Sequence, residues 1–336
     1  MDYFRPIPMS DPARPEDALA LAGGPLWFNQ VEVLARGAVP KLIPAAQLDD
    51  ATRARLCDPR PAFGRVAMNR PNIMGILNVT PDSFSDGGLF LRPEAALMQA
   101  RQMAVSADIL DIGGESTRPG AVEVSVNEEI ARTAPVIAAL CSAGLEIPVS
   151  IDTRKAEVAR QAFAAGAKIL NDVTALRFDP EMAAVAAAQG CPVVLMHSTE
   201  TPATMQDDPV YEDVLLDVFD SLKARLAHAI AAGIAPGNLA VDPGIGFGKT
   251  LAHNLVLLSR LSLFHDLGVP VLLGASRKRF IGTISAESEA ARRMPGSLAV
   301  ALAGVAQGMQ MIRVHDVAET RQALSLWQAA TKGVSE

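Results

Sequence analysis

Eight short apolar runs, each followed by a longer amphipathic segment, constrain the fold of this chain more than any other feature of its sequence. The runs are rich in β-branched and aliphatic residues, and the segments between them have the apolar period of helices. Eight strand–helix units within about 260 residues predict an α/β fold, a (β/α)8 TIM barrel. An open doubly wound sheet is the main alternative, but it usually has fewer strands and a glycine-rich turn after the first. The runs are residues 73–77, 108–112, 148–151, 168–171, 192–196, 239–242, 270–274 and 311–314.

Proline divides the chain into an N-terminal region and a longer remainder. Ten of the 23 prolines lie within residues 1–71, and the regular alternation starts directly after them. In the first region, the stretch LWFNQVEVLARG alternates apolar and polar residues well enough to predict a short strand pair. We predict an N-terminal extension over residues 1–70, a small strand-containing appendage, and a barrel over residues 71–333.

The composition excludes several classes of protein. Acidic side chains outnumber basic ones by 37 to 30, a net charge of −7, and no basic run could neutralise a phosphate backbone. No stretch of about 20 apolar residues could span a membrane, and the N-terminus lacks the apolar run of a signal peptide. Cys57, Cys141 and Cys191 form no CxxC pair and are predicted to be reduced thiols, the last two in apolar surroundings. We expect a cytoplasmic protein that binds neither nucleic acid nor membranes.

A (β/α)8 barrel makes a specific demand, because its active site lies at the C-terminal ends of the strands. Polar residues follow all eight runs, although a polar residue at any single strand end is ordinary. Their convergence predicts one site at this end of the barrel. The positions are Asn78, Glu115 with Thr117 and Arg118, Asp152, Asn171, His197, Asp242, Ser276 with Lys278, and Arg313 with His315.

The glycine-rich tract DPGIGFGKT at residues 242–250 is at first sight similar to a phosphate-binding P-loop. Its spacing excludes that motif, because GxxxxGK[ST] needs a glycine where Pro243 stands, and proline has no backbone N–H. GxGxG also differs from the GxGxxG dinucleotide fingerprint. We interpret the glycines as a close turn that holds Asp242 toward a ligand, with a plain flexible turn as the alternative.

Two carboxylates and an amide are predicted to point into the barrel from three strands. Asp152, Asn171 and Asp242 suit a ligand edge rich in N–H donors, such as a guanidine-like heterocycle. The same group could in principle bind a metal, but no second histidine lies near it in the sequence. A heterocycle is therefore the favoured ligand.

Cations are predicted at the last two strands, where barrels commonly bind phosphate. Lys278 and Arg313 follow strands seven and eight, and a helix N-terminus near Asp316 should add backbone donors. His315 lies on the same face as Arg313 and is predicted to bind an anion, with a structural role as the alternative. No nucleophile triad, HExxH motif or close carboxylate pair occurs, so the chemistry should depend on positioning and charge stabilisation.

The other histidines carry weaker signals. His197 ends strand five, and its context favours neither contact with a ligand nor support of a neighbouring residue. His228, His253 and His265 lie within helical segments and are predicted to be surface or capping residues.

Seven strings together resemble the dihydropteroate synthase family, over about residues 72–332. The first two strings and the pair SRK and RVHD are highly specific in combination. The strings are NIMGILNVTPDSFSDGG (72–88), LDIGGESTRPGA (110–121), SIDTRKAEVA (150–159), ILNDV (169–173), DPGIGFGK (242–249), GASRKRFIG (274–282) and IRVHD (312–316).

The resemblance implies an enzyme of folate biosynthesis. It would condense 4-aminobenzoate with 6-hydroxymethyl-7,8-dihydropterin diphosphate, giving 7,8-dihydropteroate and diphosphate by a dissociative displacement assisted by Mg²⁺. The diphosphate would bind first and order the loops at residues 82–90 and 113–122. The resemblance also implies a target of sulfonamides and a homodimer formed by late helices such as residues 295–307, although that apolar segment could equally be core.

The resemblance further assigns roles to residues at matching positions. The catalytic residues would be Lys278, Arg313 and His315, and the pterin would be bound by Asp152, Asn171, Asp242, Lys278 and Arg313. The diphosphate would be bound by Asn78, Arg118, Arg313 and His315, with Asn78 also holding magnesium. Aminobenzoate would be bound by Phe84, Thr117, Pro119 and Ser276.

Two other functions stay open beside this one. A methyltransferase that uses methyltetrahydrofolate needs no diphosphate site, so Arg118, Lys278, Arg313 and His315 weigh against it. A non-catalytic pterin-binding paralogue should have lost one of those charged residues, and all are present. The chain departs from the common family pattern in the polar loop after His197, in the GASRKRF segment and in its long N-terminal extension.

Overall fold

The computed structural model describes residues 1–79, 93–116, 123–199 and 209–332. Its N-terminal region contains β1 (Tyr3–Pro6), β2 (Leu19–Ala20), β3 (Trp27–Phe28), β4 (Gln30–Leu34), β5 (Lys41–Pro44) and α1 (Asp50–Cys57). Strands β1, β4 and β5 form one antiparallel sheet, and β2 and β3 form another. The predicted strand pair is therefore wrong in its pairing: β3 and β4 belong to different sheets. Only Asn29 separates them, which is too short a connection for a hairpin turn.

Eight parallel strands form the barrel of the second region, as the apolar runs predicted. Consecutive strands are neighbours, in the order β11-β10-β9-β8-β7-β6-β13-β12. A parallel bridge between Val241 and Val271 joins the two ends of that order and closes the barrel. The strands are β6 (Asn72–Asn78), β7 (Ile109–Gly113), β8 (Val149–Asp152), β9 (Ile169–Asp172), β10 (Val193–Met196), β11 (Leu239–Asp242), β12 (Leu272–Leu273) and β13 (Met311–Val314).

Helices connect the strands around the outside and begin and end at recognisable signals. Asp213 accepts hydrogen bonds from the first backbone N–H groups of α6, and Gly166 ends α4 in the left-handed conformation. The helices are α2 (Pro93–Ala104), α3 (Val126–Ser142), α4 (Ala156–Ala165), α5 (Met182–Gln189), α6 (Val214–Ala231), α7 (Leu251–Ser259), α8 (Arg279–Ser285), α9 (Met294–Val305) and α10 (Val317–Lys332). None of the described helices is long and apolar enough to cross a membrane.

The barrel interior has an apolar layer at its N-terminal end. Inward residues from every strand except β8 pack there with three residues of the N-terminal region, Phe63, Val66 and Met68. Phe63 is fully buried, and its backbone pairs with that of Val66 to form a plug at the bottom of the barrel. The inward residues are Met74, Ile109, Ile169, Val194, Ala240, Leu272 and Met311. The end of the N-terminal region is thus part of the barrel core.

The rest of the N-terminal region is fixed to α6 and to the 3-10 helix over residues 261–267. The hydroxyl of Tyr3 donates to Asp220 Oδ2 at 2.8 Å, and the backbone N–H of Phe4 donates to Asp266 Oδ2 at 3.1 Å. The Arg60 guanidinium, also buried, donates to the carbonyl of His265 at 3.0 Å. These contacts join the extension to the side of the barrel.

Two expectations for individual side chains are wrong. His265 is not on the surface: it is fully buried, because the N-terminal region covers its helix, and burial lowers its pKa to about 3. Cys141 is exposed on the outer face of α3, whereas Cys191 is buried as expected. His228 is exposed, and His253 caps α7 by accepting from Thr250 N at 3.3 Å, as predicted.

Candidate active site

Strand periodicity places the polar site residues directly above the apolar layer. Side chains alternate between the two faces of a strand, so a residue two positions after an inward residue also points inward. Ile109, Ile169, Ala240 and Met311 belong to the apolar layer. The residues two positions later are Asp111, Asn171, Asp242 and Arg313, and Asp152 takes the same level on β8.

Arg313 lies at the centre of this polar layer and forms two ion pairs. Its Nε is 2.6 Å from Asp111 Oδ2, and its Nη2 is 2.6 Å from Asp152 Oδ2. The Asn171 amide donates to the same Asp111 oxygen at 3.0 Å. Asp111 therefore fixes the positions of both Arg313 and Asn171.

Sequence reasoning missed Asp111, although a signal was present. It lies in the middle of β7 and is fully buried among apolar neighbours. An aspartate inside a buried strand is rarely tolerated unless it is paired. A carboxylate at such a position therefore predicts a cation on another strand.

Two carboxylates of this layer, Asp152 and Asp242, carry raised pKa values because they are buried. Burial raises the pKa of Asp152 to about 7, against the opposing effect of Arg313. Burial also raises the pKa of Asp242, which Lys278 partly offsets. Burial disfavours the charge on Arg313, but Asp111 and Asp152 outweigh it and raise the pKa of the guanidinium. The site thus holds a permanent cation among carboxyl groups that titrate above their usual range.

Two buried carboxylate oxygens have no partner. Asp111 Oδ1 and Asp152 Oδ1 accept no hydrogen bond, although both residues use their other oxygen in pairing with Arg313. Buried acceptors are normally satisfied, so unpaired ones in this polar layer indicate a place for ligand donors.

Lys278 faces this layer from the start of α8. It is the residue that precedes the helix, and its ammonium group donates to the carbonyl of Ile245 and lies 4.4 Å from the centre of the Phe247 ring. Burial of the ammonium lowers its pKa to about 8, while Asp242 acts in the opposite direction. Lys278 is therefore a cation whose charge is sensitive to pH near neutrality.

Ser276 and His315 lie side by side at the ends of neighbouring segments. Ser276 Oγ is 3.0 Å from His315 Nδ1 and accepts from the backbone N–H of His315 at 3.2 Å. Arg277 pairs with Asp316, the residue before α10, and adopts a left-handed φ of 58°. The loops after β12 and β13 are thus held together, and His315 lies two residues after Arg313 in the chain.

Asn78 ends β6 beside Asp152, and Gly113 keeps the space between them open. A Cβ at Gly113 would lie 3.6 Å from Asn78 Oδ1 and 3.7 Å from Asp152 Oδ2. No group of three or more metal-ligating side chains occurs within the described ranges. The amide oxygen of Asn78 is a hard ligand that could share a cation with water and phosphate oxygens.

His197 supports a neighbouring residue, the second of its two interpretations. It is buried at the end of β10, and its Nδ1 is 2.9 Å from the ammonium nitrogen of Lys249. Burial lowers the pKa of His197 well below its usual value, and the charge of Lys249 acts in the same direction. Sequence reasoning gave Lys249 no role, because only the glycines of its tract were interpreted.

A second buried ionic cluster lies at the β7 and β8 ends. Lys155 Nζ pairs with Glu115 at 2.9 Å and with Glu129 at 2.8 Å, and Arg154 pairs with Glu115 at 3.0 Å. Thr153 donates to Glu129 at 2.7 Å. This cluster fixes Glu115, the last residue but one before the described chain breaks off at residue 116. Thr117, Arg118, Pro119 and Phe84 lie outside the described residues.

The comparisons with known proteins agree on one family. The family model described as "Pterin binding enzyme" matches residues 74–315. A relative from Neisseria meningitidis serogroup B, named dihydropteroate synthase, is 48% identical over 270 residues, which are 79% of this chain and 94% of the relative.

Two solved structures from Xanthomonas albilineans are similar in fold as well as in sequence. A dihydropteroate synthase with 4-aminobenzoic acid has a TM-score of 0.75 and 47% identity, covering 80% of this chain and 96% of that one. A dihydropteroate synthase in complex with 7,8-dihydropteroate has a TM-score of 0.73 and 44% identity, covering 80% and 97%. With its barrel, its strand-end site and these similarities, the chain belongs to the pterin binding enzyme family, alongside the dihydropteroate synthases.

Proposed function

We propose that the protein is a dihydropteroate synthase. It joins 4-aminobenzoate to (7,8-dihydropterin-6-yl)methyl diphosphate and releases 7,8-dihydropteroate and diphosphate. The observation that carries this proposal is the layer in which Arg313 is paired with Asp111 and Asp152, beside Asn171 and Asp242. It offers acceptors for a heterocycle and a fixed cation for an anion in one place.

The pterin would be read by the acceptors of this layer. A pterin edge carries several N–H donors, and the buried, unpartnered Asp152 Oδ1 is suited to accept one of them. Asn171 can both donate and accept, which suits a ring that carries both kinds of group. Asp242 Oδ1 already accepts from Gly244 N at 2.7 Å, so its other oxygen is the one available to a ligand.

The diphosphate would be held by groups at the β12 and β13 ends. Arg313 carries a permanent charge, and His315 and Lys278 lie in the same part of the site. The first turn of α10, directly after Asp316, supplies backbone N–H donors. These groups stabilise negative charge that develops on the leaving oxygen.

Magnesium would be held at Asn78. Mg²⁺ keeps several waters and often binds only one or two protein oxygens together with substrate phosphates, so a single amide oxygen fits it. Bound there, the ion would neutralise charge on the diphosphate.

The reaction needs no strong general base. The amine of 4-aminobenzoate is neutral near pH 7, so its nitrogen lone pair forms the new bond to the pterin methylene carbon directly. Breaking of the bond from that carbon to the diphosphate oxygen runs ahead of this bond formation, the diphosphate leaves with the electron pair, and the nitrogen then loses a proton to solvent. Positive charge that builds on the pterin is stabilised by Asp152 and Asp242, as expected for a dissociative displacement.

A homodimer through α9 is part of this proposal. The helix reads MPGSLAVALAGV and is apolar on all sides, yet Ala299 and Ala303 are exposed. Ile284 at the end of α8 is 59% exposed. Helices that are apolar all round are normally buried, so a second copy would cover this face. Ala303→Asp should give a monomer in sedimentation experiments, and an unchanged dimer would locate the interface elsewhere.

Diphosphate release tests the function. Purified protein, magnesium, the pterin diphosphate and 4-aminobenzoate are mixed, and each component is omitted in turn. We expect diphosphate and dihydropteroate in equal amounts, and release only when both substrates are present. Absence of both products from the complete mixture would contradict the proposed function, and full activity without magnesium would contradict the metal site alone.

The pH dependence of kcat/KM for the pterin substrate should be bell-shaped. As the pH falls below about 7, Asp152 takes up a proton and loses the negative charge that strengthens its hydrogen bond from the pterin. As the pH rises above about 8, Lys278 loses its proton and its charge. The maximum should therefore lie between these values, because kcat/KM reports ionisation of the free enzyme. Lys278→Arg should move the alkaline limb upward and leave the acid limb unchanged, and a flat profile in the wild type would contradict both assignments.

A further inference from the structure

The loop over residues 244–249 determines the positions of two site residues. The backbone N–H of Gly244 donates to Asp242 Oδ1 at 2.7 Å. The carbonyl of Ile245 accepts from the ammonium of Lys278, and the Phe247 ring lies 4.4 Å from the same ammonium. A shift of this loop would therefore move Asp242 and Lys278 together.

The loop passes against the end of β10 so closely that one position must be glycine. Gly244 has a left-handed φ of 68°, and a Cβ there would lie 1.9 Å from the carbonyl oxygen of His197. Backbone contact at this distance leaves no room for a side chain. The loop therefore packs directly against the backbone of His197.

The side chain of Lys249 connects the loop to His197. Its side chain is 3% exposed, and its ammonium lies 2.9 Å from His197 Nδ1 and donates to the carbonyl of Phe247 at 2.9 Å. Asn254 holds the loop from α7 by accepting from Gly246 N at 2.7 Å. Lys249 thereby connects the loop to the end of β10, and Asn254 connects it to α7.

The surroundings of Lys249 are unusual for a buried lysine. Among the described residues no carboxylate forms a salt bridge with Lys249, although the more distant charge of Asp242 partly offsets the lowering of its pKa by burial. Its acceptors are an imidazole and backbone carbonyls, which are the groups whose relative position it fixes. A buried lysine without a salt bridge is costly, and an apolar side chain of the same length would fill the space at lower cost.

We propose that Lys249 is a positioning residue for pterin binding, which acts through His197 and the 244–249 loop on Asp242 and Lys278. The proposal rests on the proposed function, because it assigns the pterin to these two residues. Lys249 itself touches no reacting atom. Its loss should weaken pterin binding and leave the 4-aminobenzoate site, built around Ser276, unaffected.

The test compares Lys249→Met with Lys168→Met, a matched change at an exposed lysine. Calorimetry measures the Kd for a pterin carboxylate, which contains no diphosphate, and steady-state kinetics measure KM for each substrate. We expect Lys249→Met to raise the pterin Kd and KM at least tenfold and to change KM for 4-aminobenzoate less than twofold. An unchanged pterin Kd, or equal losses for both substrates, would overturn the proposal. Lys168→Met should behave as the wild type.

A second measurement uses the wild-type protein, so its result does not depend on whether Lys249→Met folds. Nitrogen NMR of the wild-type histidine rings, with His197→Gln used for assignment, reports the protonation of Nδ1. We expect an unprotonated Nδ1 on His197 from pH 6 to 9, as an acceptor from Lys249 requires, and titration near pH 6.5 would contradict the pair. The proposal for Lys249 is tested by pterin binding, whereas the proposed function is tested by diphosphate release. Wild-type protein that binds the pterin but releases no diphosphate would therefore contradict the proposed function only.

Discussion

Arg313→Ala is expected to lower turnover by three or more orders of magnitude while the barrel stays folded. Loss of one preorganised charge-stabilising donor costs roughly 10²–10³ in rate. Arg313 is also the partner of Asp111 and Asp152, so its removal leaves two buried carboxylates without their cation. The pKa of Asp152 should rise further, because the opposing charge of Arg313 is lost, and the groups around Asn171 lose one of their fixed members. The rate should therefore fall by more than the loss of one donor.

The measurement is steady-state diphosphate release, with circular dichroism to verify the fold. Arg160→Ala is the matched control, because Arg160 also forms two ion pairs, with Glu157 and Glu181, but lies on the surface. Its turnover should be normal. Arg313→Lys keeps the charge but not the forked geometry that reaches both carboxylates, so it should be intermediate. Near-normal turnover in Arg313→Ala would contradict the charge-stabilisation mechanism.

Phe63→Ala is expected to lower the free energy of unfolding by about 3–5 kcal/mol, the usual effect of removing a buried aromatic ring. Phe63 is fully buried and packs in the apolar layer with inward residues of seven barrel strands. Its removal would leave a cavity in the apolar layer, one layer below the carboxylates of the site. Turnover per folded molecule should therefore stay close to the wild-type value.

Urea unfolding measures this effect. Leu42→Ala is the control within the same N-terminal region, because Leu42 is 64% exposed, and its effect should stay within about 0.5 kcal/mol. Deletion of residues 1–65 removes Phe63 together with the contacts of Tyr3 and Arg60, so we expect insoluble or unfolded protein. A soluble, stable deletion variant, or a change below about 1 kcal/mol for Phe63→Ala, would show that the plug contributes little.

The two ends of the barrel strands are expected to serve different purposes. Residues at the N-terminal ends of the strands, such as Met74 and Ile109, are expected to affect stability. Residues at the C-terminal ends, such as Asp152 and Arg313, are expected to affect the reaction. The boundary between the two levels is a single step of two residues along each strand.

The sequence by itself determined the barrel and the faces of its strands. Both are local properties: apolar runs and helical periods give the order of elements, and the two-residue alternation of a strand gives the face. For this reason Asp152, Asn171, Asp242 and Arg313 could be assigned to one end of the barrel from the chain alone. The roles of these residues came from the family motifs, because the periodicity of a strand predicts only where a side chain lies.

Only the tertiary structure decided which side chains meet. Arg313 pairs with Asp111 and Asp152 across 202 and 161 residues of chain, and Lys249 meets His197 across 52. The burial of His265 likewise depends on an extension that begins more than 200 residues earlier. Such pairings depend on the closure of the sheet into a barrel, which brings side chains of strands distant in the sequence into contact inside it. Local sequence patterns do not specify which of these side chains meet.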